Sequence, residues 1–190
     1  MRTLEHTVQQ LARQAAGRYY GKYRGIVTDV ADPDNNGRIM AMVPSVAGET
    51  AIGWALPAFG FAGDGHGQVM LPEVGSMVWI EFEAGNLDYP IWTGGFFLPG
   101  QRPTPDGNAV RVIVSRNQHQ LVLDDDADEV IVKHNGGPEI KLTGTAITLT
   151  VGACTLEIGL AAITLNNGII KVGPAGVSLV NGAMAFGVPP

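Results

Sequence analysis

The sequence predicts an all-β chain: a short N-terminal helix, a small Greek-key barrel, and a C-terminal stack of short strands with one apolar face. Three observations predict it. Composition is the first. The 190 residues include 26 Gly and 12 Pro, only 7% are aromatic and 16% charged, and that balance suits many short strands joined by turns. The second is a succession of five short strand patterns between residues 22 and 96 with no long helix between them. The third is a repeat over residues 139–182: apolar, polar, apolar, then a turn.

Residues 3–16 read as a helix, because Leu4, Val8, Leu11 and Ala15 share one face at helical spacing, with Thr3 as N-cap and Gly17 as the stop. A helix of about 13 residues is marginal alone. Its stripe therefore needs a surface, on its own domain or on a partner.

From Gly21 the period becomes that of strands. Lys22 to Ala31 and Arg38 to Pro44 flank the turn Asp32-Pro33-Asp34-Asn35-Asn36-Gly37. Asp32, Asp34, Asn36 and Gly37 match the opening of a calcium loop, but its twelfth position, which requires a bidentate Glu, is Val43. A plain hairpin turn is the preferred reading. Trp54 to Phe59 is a third strand. Gly60 to Gly67 is a flexible loop and not a phosphate cradle, since no Lys-Ser/Thr follows it. Its Asp64 and His66 are too few to specify a metal. Ser76 to Ala84 alternates Val78, Ile80 and Phe82 with polar and larger neighbours, and Tyr89 to Phe96 is the fifth strand.

Leu98 to Asn108 holds three prolines and two glycines and reads as a stiff linker. Alternation then resumes in Val110/Val112/Val114, Leu121/Leu123 and Val130/Val132. Asp124 to Glu129 reads as a solvated acidic turn rather than a calcium site.

The repeat follows. Its units are Ile140-Lys141-Leu142, Ile147-Thr148-Leu149, Cys154-Thr155-Leu156, Ile163-Thr164-Leu165, Ile170-Lys171-Val172 and Val177-Ser178-Leu179, with first residues 7, 7, 9, 7 and 7 apart. Every middle residue is polar, the mark of strands with one buried and one wet face. One unit cannot stand alone. Burying Ile147, Leu149 and Val151 gains roughly 5–9 kcal/mol, whereas fixing seven residues costs about 7–14 kcal/mol of backbone entropy. Neighbours must stack above and below. Something must also cover the apolar side, and the chain offers neither a second sheet of matching length nor a long helix. Other copies are the expected cover, three faces closing around a dry axis. The tail, Ala183 to Pro190, is apolar and uncharged, which points to docking.

Net charge is −6 and no basic tract exists, which argues against nucleic acid and anionic membranes as partners. No apolar run approaches 18 residues, so stable membrane insertion is not expected. The first residues do not form a signal peptide, consistent with assembly in the cytoplasm. Cys154 is the single cysteine, so no intrachain disulfide forms, and it reads as a small buried residue. His6, His66, His119 and His134 are scattered, and no nucleophile, zinc or carboxylate pattern stands out. No catalytic residue, cofactor or metal site is assigned.

Two stretches carry a resemblance. One is Tyr20-Gly21-Lys22-Tyr23-Arg24-Gly25-Ile26-Val27 with Asp32-Pro33 and Gly37-Arg38-Ile39. The other is Pro72-Glu73-Val74-Gly75-Ser76-Met77-Val78-Trp79-Ile80-Glu81-Phe82-Glu83, closed by Pro90-Ile91-Trp92-Thr93-Gly94, with Trp54-Ala55-Leu56-Pro57 between the two. Together they resemble the OB-fold domain of the phage baseplate assembly protein V and VgrG family, the central spikes of contractile injection systems. Ser115 to Asp125 resembles the start of the spike's β-helix in that family.

The resemblance implies an OB-fold Greek-key barrel followed by a trimeric intertwined β-helix, or β-prism. The expected divisions are 1–20 (helix and connector), 21–97 (barrel), 98–108 (linker), 109–182 (spike) and 183–190 (tip segment). It implies a homotrimeric, non-enzymatic, cell-puncturing spike whose trimer core is the twelve apolar flanking residues of the six units. A separate hub protein would meet Leu4, Val8 and Leu11. A PAAR-type tip protein would cap Met184 and Phe186, and a toxin or effector would ride as cargo. The linker leaves no room for the lysozyme domain some members carry, and the iron-binding His-x-His tip of some phage spikes is absent, His134 being the last histidine. The alternative is an OB-fold binder of oligosaccharide or oligonucleotide with an oligomerising tail. Its aromatics would be Tyr23, Trp54, Phe59, Phe61, Trp79 and Trp92, without a basic groove to help.

Overall fold

The computed structural model describes residues 4, 5, 7–9, 17–174, 176–180 and 184–186. Two compact units divide between Gln101 and Arg102. Residues 4, 5 and 7–9 are helical and exposed. Leu11, at the end of the expected stripe, lies outside the described residues. No described helix is long and apolar enough to cross a membrane.

In the first unit, β1 (Tyr23–Asp29), β2 (Met40–Met42), β3 (Leu56–Pro57), β6 (Met77–Phe82) and β7 (Pro90–Gly95) form one sheet in the order β2-β1-β6-β7-β3. All pairs are antiparallel except β3 with β7, which run parallel. Bridges Ile39↔Ala55 and Met42↔Ala51 bring the two outer segments together. The closure is thin, carried by Ile39 N–H to Ala55 O, Ala55 N–H to Ile39 O and Ile52 N–H to Ala41 O at 2.8–3.2 Å. A five-stranded, partly open ring with one parallel pair is the OB arrangement. The Gly60 to Gly67 segment is not a bare loop: Asp64-Gly65 turns a small hairpin between β4 (Ala62–Gly63) and β5 (His66–Gly67). Gly65 takes the positive φ such a turn demands.

The barrel interior is filled by inward residues of the alternation, with Val27, Ile39, Val43, Val78 and Ile80 almost fully buried and Phe82 and Trp92 beside them. Gly25 lies where a Cβ would stand 2.9 Å from Ile80 Cγ1, so only glycine lets β1 sit this close over β6.

The Asp32 turn explains itself without a metal. Asp32 Oδ1 accepts Arg38 Nε at 2.9 Å, Arg38 Nη2 at 2.6 Å and the Asp34 N–H at 3.1 Å, and its Oδ2 accepts the N–H groups of Asn36 at 2.7 Å and Arg38 at 3.1 Å. Five donors fill a carboxylate that offers about four lone-pair sites. The chain's own groups take the place a cation would need. Arg38 also lies over the Trp54 ring.

The second unit is a ten-stranded antiparallel meander: β8 (Val110–Val114), β9 (Gln120–Asp124), β10 (Glu129–Lys133), β11 (Glu139–Thr143), β12 (Ala146–Val151), β13 (Cys154–Gly159), β14 (Ile163–Leu165), β15 (Ile170–Gly173), β16 (Gly176–Leu179) and β17 (Met184–Phe186). Each strand pairs with the next, and the fully described links between them are short turns. Asn166, Asn167 and Gly168 show why: all three hold positive φ, which Asn and Gly tolerate. At about 4.8 Å per strand the ten strands rise on the order of 40 Å.

Arg38's guanidinium, opposed by burial and helped by the three backbone donors, holds the Asp32 carboxyl well below the usual carboxylate range. Such a group stabilises the fold fully above its unfolded value of about 3.9, and loses that contribution as pH falls toward the folded value. All three tryptophans lie in the barrel, so their fluorescence reads this unit alone. Asp32→Asn is expected to lower the thermal midpoint at neutral pH, and the gap to wild type to narrow progressively as pH falls below about 5.

Candidate functional site

Nothing on the barrel surface gathers reactive groups. The aromatics that an OB binder would use are spent on packing. Trp92 is buried and donates from Nε1 to Gly37 O at 3.1 Å, with Phe59 edge-on to its ring. Tyr23 stacks among Tyr19 and Phe82. Trp79 lies 4.7 Å from Phe96 with Arg24 over both rings, and Trp54 lies under Arg38. Of the six, Phe61 alone is more than half exposed, and it sits beside His66.

The polar groups of the sheet turns are likewise occupied. Asp124 Oδ1 accepts the N–H groups of Asp126 and Ala127, Asp125 pairs with Arg111, and Glu129 pairs with Lys141 at 3.0 Å. His119 and His134, scattered in sequence, stack with ring centroids 4.3 Å apart because their turns lie on one edge of the meander. Each Nδ1 accepts a backbone N–H, from Asn135 and Gly136 respectively, which fixes the tautomer. Among the described residues no group of three or more His, Cys, Asp or Glu is placed to hold a metal.

The site is instead a surface. Cross-strand partners point to the same side of a sheet, so the pairing registers can be followed rung by rung. One column runs Ile113, Leu121, Val132, Ile140, Leu149, Leu156, Leu165, Ile170, Leu179, Met184. Its neighbour on that face runs Arg111, Leu123, Val130, Leu142, Ile147, Ile158, Ile163, Val172, Val177, Phe186. Leaving aside Arg111 and Phe186, eighteen apolar side chains form an unbroken ladder two columns wide. Fifteen of them are exposed in the single chain, at 36–53%, with only Leu156, Ile170 and Leu179 better covered.

The opposite face has a different character. Its central column begins Val112, Val122, Ile131 and continues Lys141, Thr148, Glu157, Thr164, Lys171, Ser178. Gln120 Nε2 donates to Thr104 O at 3.4 Å, so the proline-rich segment reaches this face at its apolar end, where Val122 is 2% exposed. From β11 onward that side is polar and suited to water.

Family models match both units. Residues 23–97 match the type VI secretion system/phage-baseplate injector OB domain, and residues 110–185 match the phage baseplate V C-terminal trimerisation domain. The chain belongs to the phage baseplate V family. It is a spike component of phage or type VI injection machinery, in a family that is structural and generally non-enzymatic. No curated protein matches the chain. The trimerisation match spans the whole ladder and supports a homotrimer.

The twelve predicted core residues all lie on the ladder face, but the third unit is out of phase. Cys154 pairs with Val151, beyond the two columns, and the residue level with Ile147 and Ile163 is Ile158. Strand β13 alternates along all six residues, so two overlapping triplets fit it. The tight turn at Gly152-Ala153 decides between them, and Leu156-Glu157-Ile158 is the true unit. Spacing alone does not choose between them, because starting the third unit at Leu156 only moves the interval of 9 to precede it. In the baseplate V assembly, Ile158→Ala is expected to cost about 2–5 kcal/mol per chain and Cys154→Ala about 1 kcal/mol or less. Unfolding of the assembled protein followed by circular dichroism checks this, and the opposite ranking would return Cys154 to the ladder.

Proposed function

We propose that this baseplate V protein is the force-bearing spike of its particle: three copies close their apolar ladders around a dry axis and deliver cargo through a target envelope. The observation that carries this reading is the eighteen-residue ladder left open in one chain. A side chain two-fifths exposed still has on the order of 1 kcal/mol to gain by full burial. Over the ladder that amounts to roughly 15–20 kcal/mol per chain, against about 4–15 kcal/mol for lost translational and rotational freedom. Association wins on these magnitudes, and the polar opposite face does not compete for it. Stiffness follows from the same arrangement, because each strand of the described sheet is paired with its neighbours along the shaft and the outer strand edges lie at its two ends, at β8 and β17.

Two end contacts complete the reading. A separate hub protein takes the N-terminal helix, whose Leu4 and Val8 are exposed at 73% and 57%. A PAAR-type tip protein covers the last strand, where β17 ends the described sheet and Met184 is 53% exposed. A toxin or effector is the cargo, and assembly takes place in the cytoplasm before the particle acts.

Sedimentation of the purified protein is expected to give three times the 20.0 kDa chain mass. Leu149→Lys, which sets three charges on the axis at a cost of several kcal/mol each, is expected to give monomers with an intact barrel fluorescence. A wild-type monomer would end the proposal. Deleting residues 183–190 is expected to abolish capture of a PAAR-type tip protein in a pull-down while leaving the trimer mass unchanged.

A further inference from the structure

The turns of the C-terminal sheet lie on two edges, alternating strand by strand. One edge carries the turns at 115–119, 134–138, 152–153 and 166–169, and the other those at 125–128, 144–145 and 160–162. On the second edge every described turn residue is small or polar except Leu160. Leu160 is also 87% exposed, the most exposed of the chain's large apolar residues among those described. Water gives no reason for a leucine there, when Asp, Gly, Thr and Ala serve the equivalent turns.

The first edge carries the complementary irregularity at the same level. The turn containing Leu160 joins β13 to β14. On the opposite edge the same strand begins at Cys154, which pairs across the 152–153 turn with Val151. Val151 is 61% exposed and Cys154 is an exposed thiol. A ring of three copies is heterologous: the right edge of each sheet meets the left edge of the next at equal height. The protruding leucine of one copy then faces the small Cys154 of its neighbour, with Val151 on the adjacent strand about 5 Å below.

We infer that Leu160 of each copy packs against the Val151 and Cys154 pair of the next, making three identical latches around the spike. This rests on the trimeric reading and adds to it which edges meet and at what height.

The test uses the full chain with Leu160→Cys. Within one chain, positions 154 and 160 end the same strand, about 20 Å apart, far beyond the roughly 7 Å that a disulfide can span. Any disulfide between them therefore joins two chains, and a closed ring joins three. Mild oxidation is expected to give a covalent trimer on a non-reducing gel. Cys154→Ser added to Leu160→Cys, or Asp128→Cys in place of Leu160→Cys, is expected to abolish it. A protein of trimer mass that forms no such crosslink overturns the latch and leaves the trimer standing. A monomer mass for wild type overturns both. A second measurement needs no added cysteine: a maleimide should label Cys154 of the wild-type trimer slowly, and Leu160→Ala should speed that labelling by about tenfold or more. Equal rates overturn the proposal.

Discussion

The controlling constraint in this molecule is that a one-sided sheet has been built with no internal cover for its apolar side. An antiparallel meander buries backbone polarity within itself, strand by strand, but it leaves two faces. One of them is wet from β11 onward, through Lys141, Thr148, Glu157, Thr164, Lys171 and Ser178. The other is aliphatic across ten consecutive rungs. A second layer would normally close such a core, and the match to a baseplate V trimerisation domain points to further copies of the chain as its source. Most of the C-terminal sequence follows from this demand: short strands, polar residues on one side only, and turns tight enough to keep the columns in line.

The barrel obeys the opposite economy. It closes on its own residues, with Val27, Ile39, Val43, Val78 and Ile80 sealed from water. Its potential binding groups are turned to internal use. The Asp32 carboxylate saturates a turn and an arginine, and Trp92 ties β7 to Gly37 across the top of the core. Such self-sufficiency leaves the barrel no open core for a partner to complete. It explains why the aromatic content suggested a binding module from sequence while the structure offers no aromatic strip.

The strands and their faces were legible because period-2 alternation survives wherever one face is buried. Val78, Ile80 and Phe82 in the barrel, and Ile147 with Leu149 in the sheet, announce themselves in this way. Phase was harder. Cys154-Thr155-Leu156 and Leu156-Glu157-Ile158 satisfy the same pattern, and only the hairpin closing at Val151↔Cys154 separates them. The Gly60 to Gly67 hairpin was missed because two-residue strands carry no periodicity, although Asp64-Gly65 is a turn signal. The stacking of His119 on His134 joins turns on one sheet edge, information that lives in topology and not in local spacing. The Asp32 turn was legible as a turn, but not as an arginine clasp, because Arg38 sits outside the six-residue motif.

Regularity carries a hazard of its own. A ladder of near-identical rungs specifies strongly that copies must associate and weakly at which height they do so. A slide of two strands would preserve the in-out pattern and forfeit only the end rungs, just as flat uniform strands are prone to register slips. Residues that break the pattern at one level remove the degeneracy, as a single odd residue fixes the register of a coiled coil. A large side chain on one edge opposite a small one on the other, level with β13 and β14, supplies such a break. A slid assembly would set Leu160 against the Asn- and Gly-rich turns at 134–138 or 166–169 and leave the Cys154 corner empty. Exposed apolar surface and an unfilled void would then both count against it.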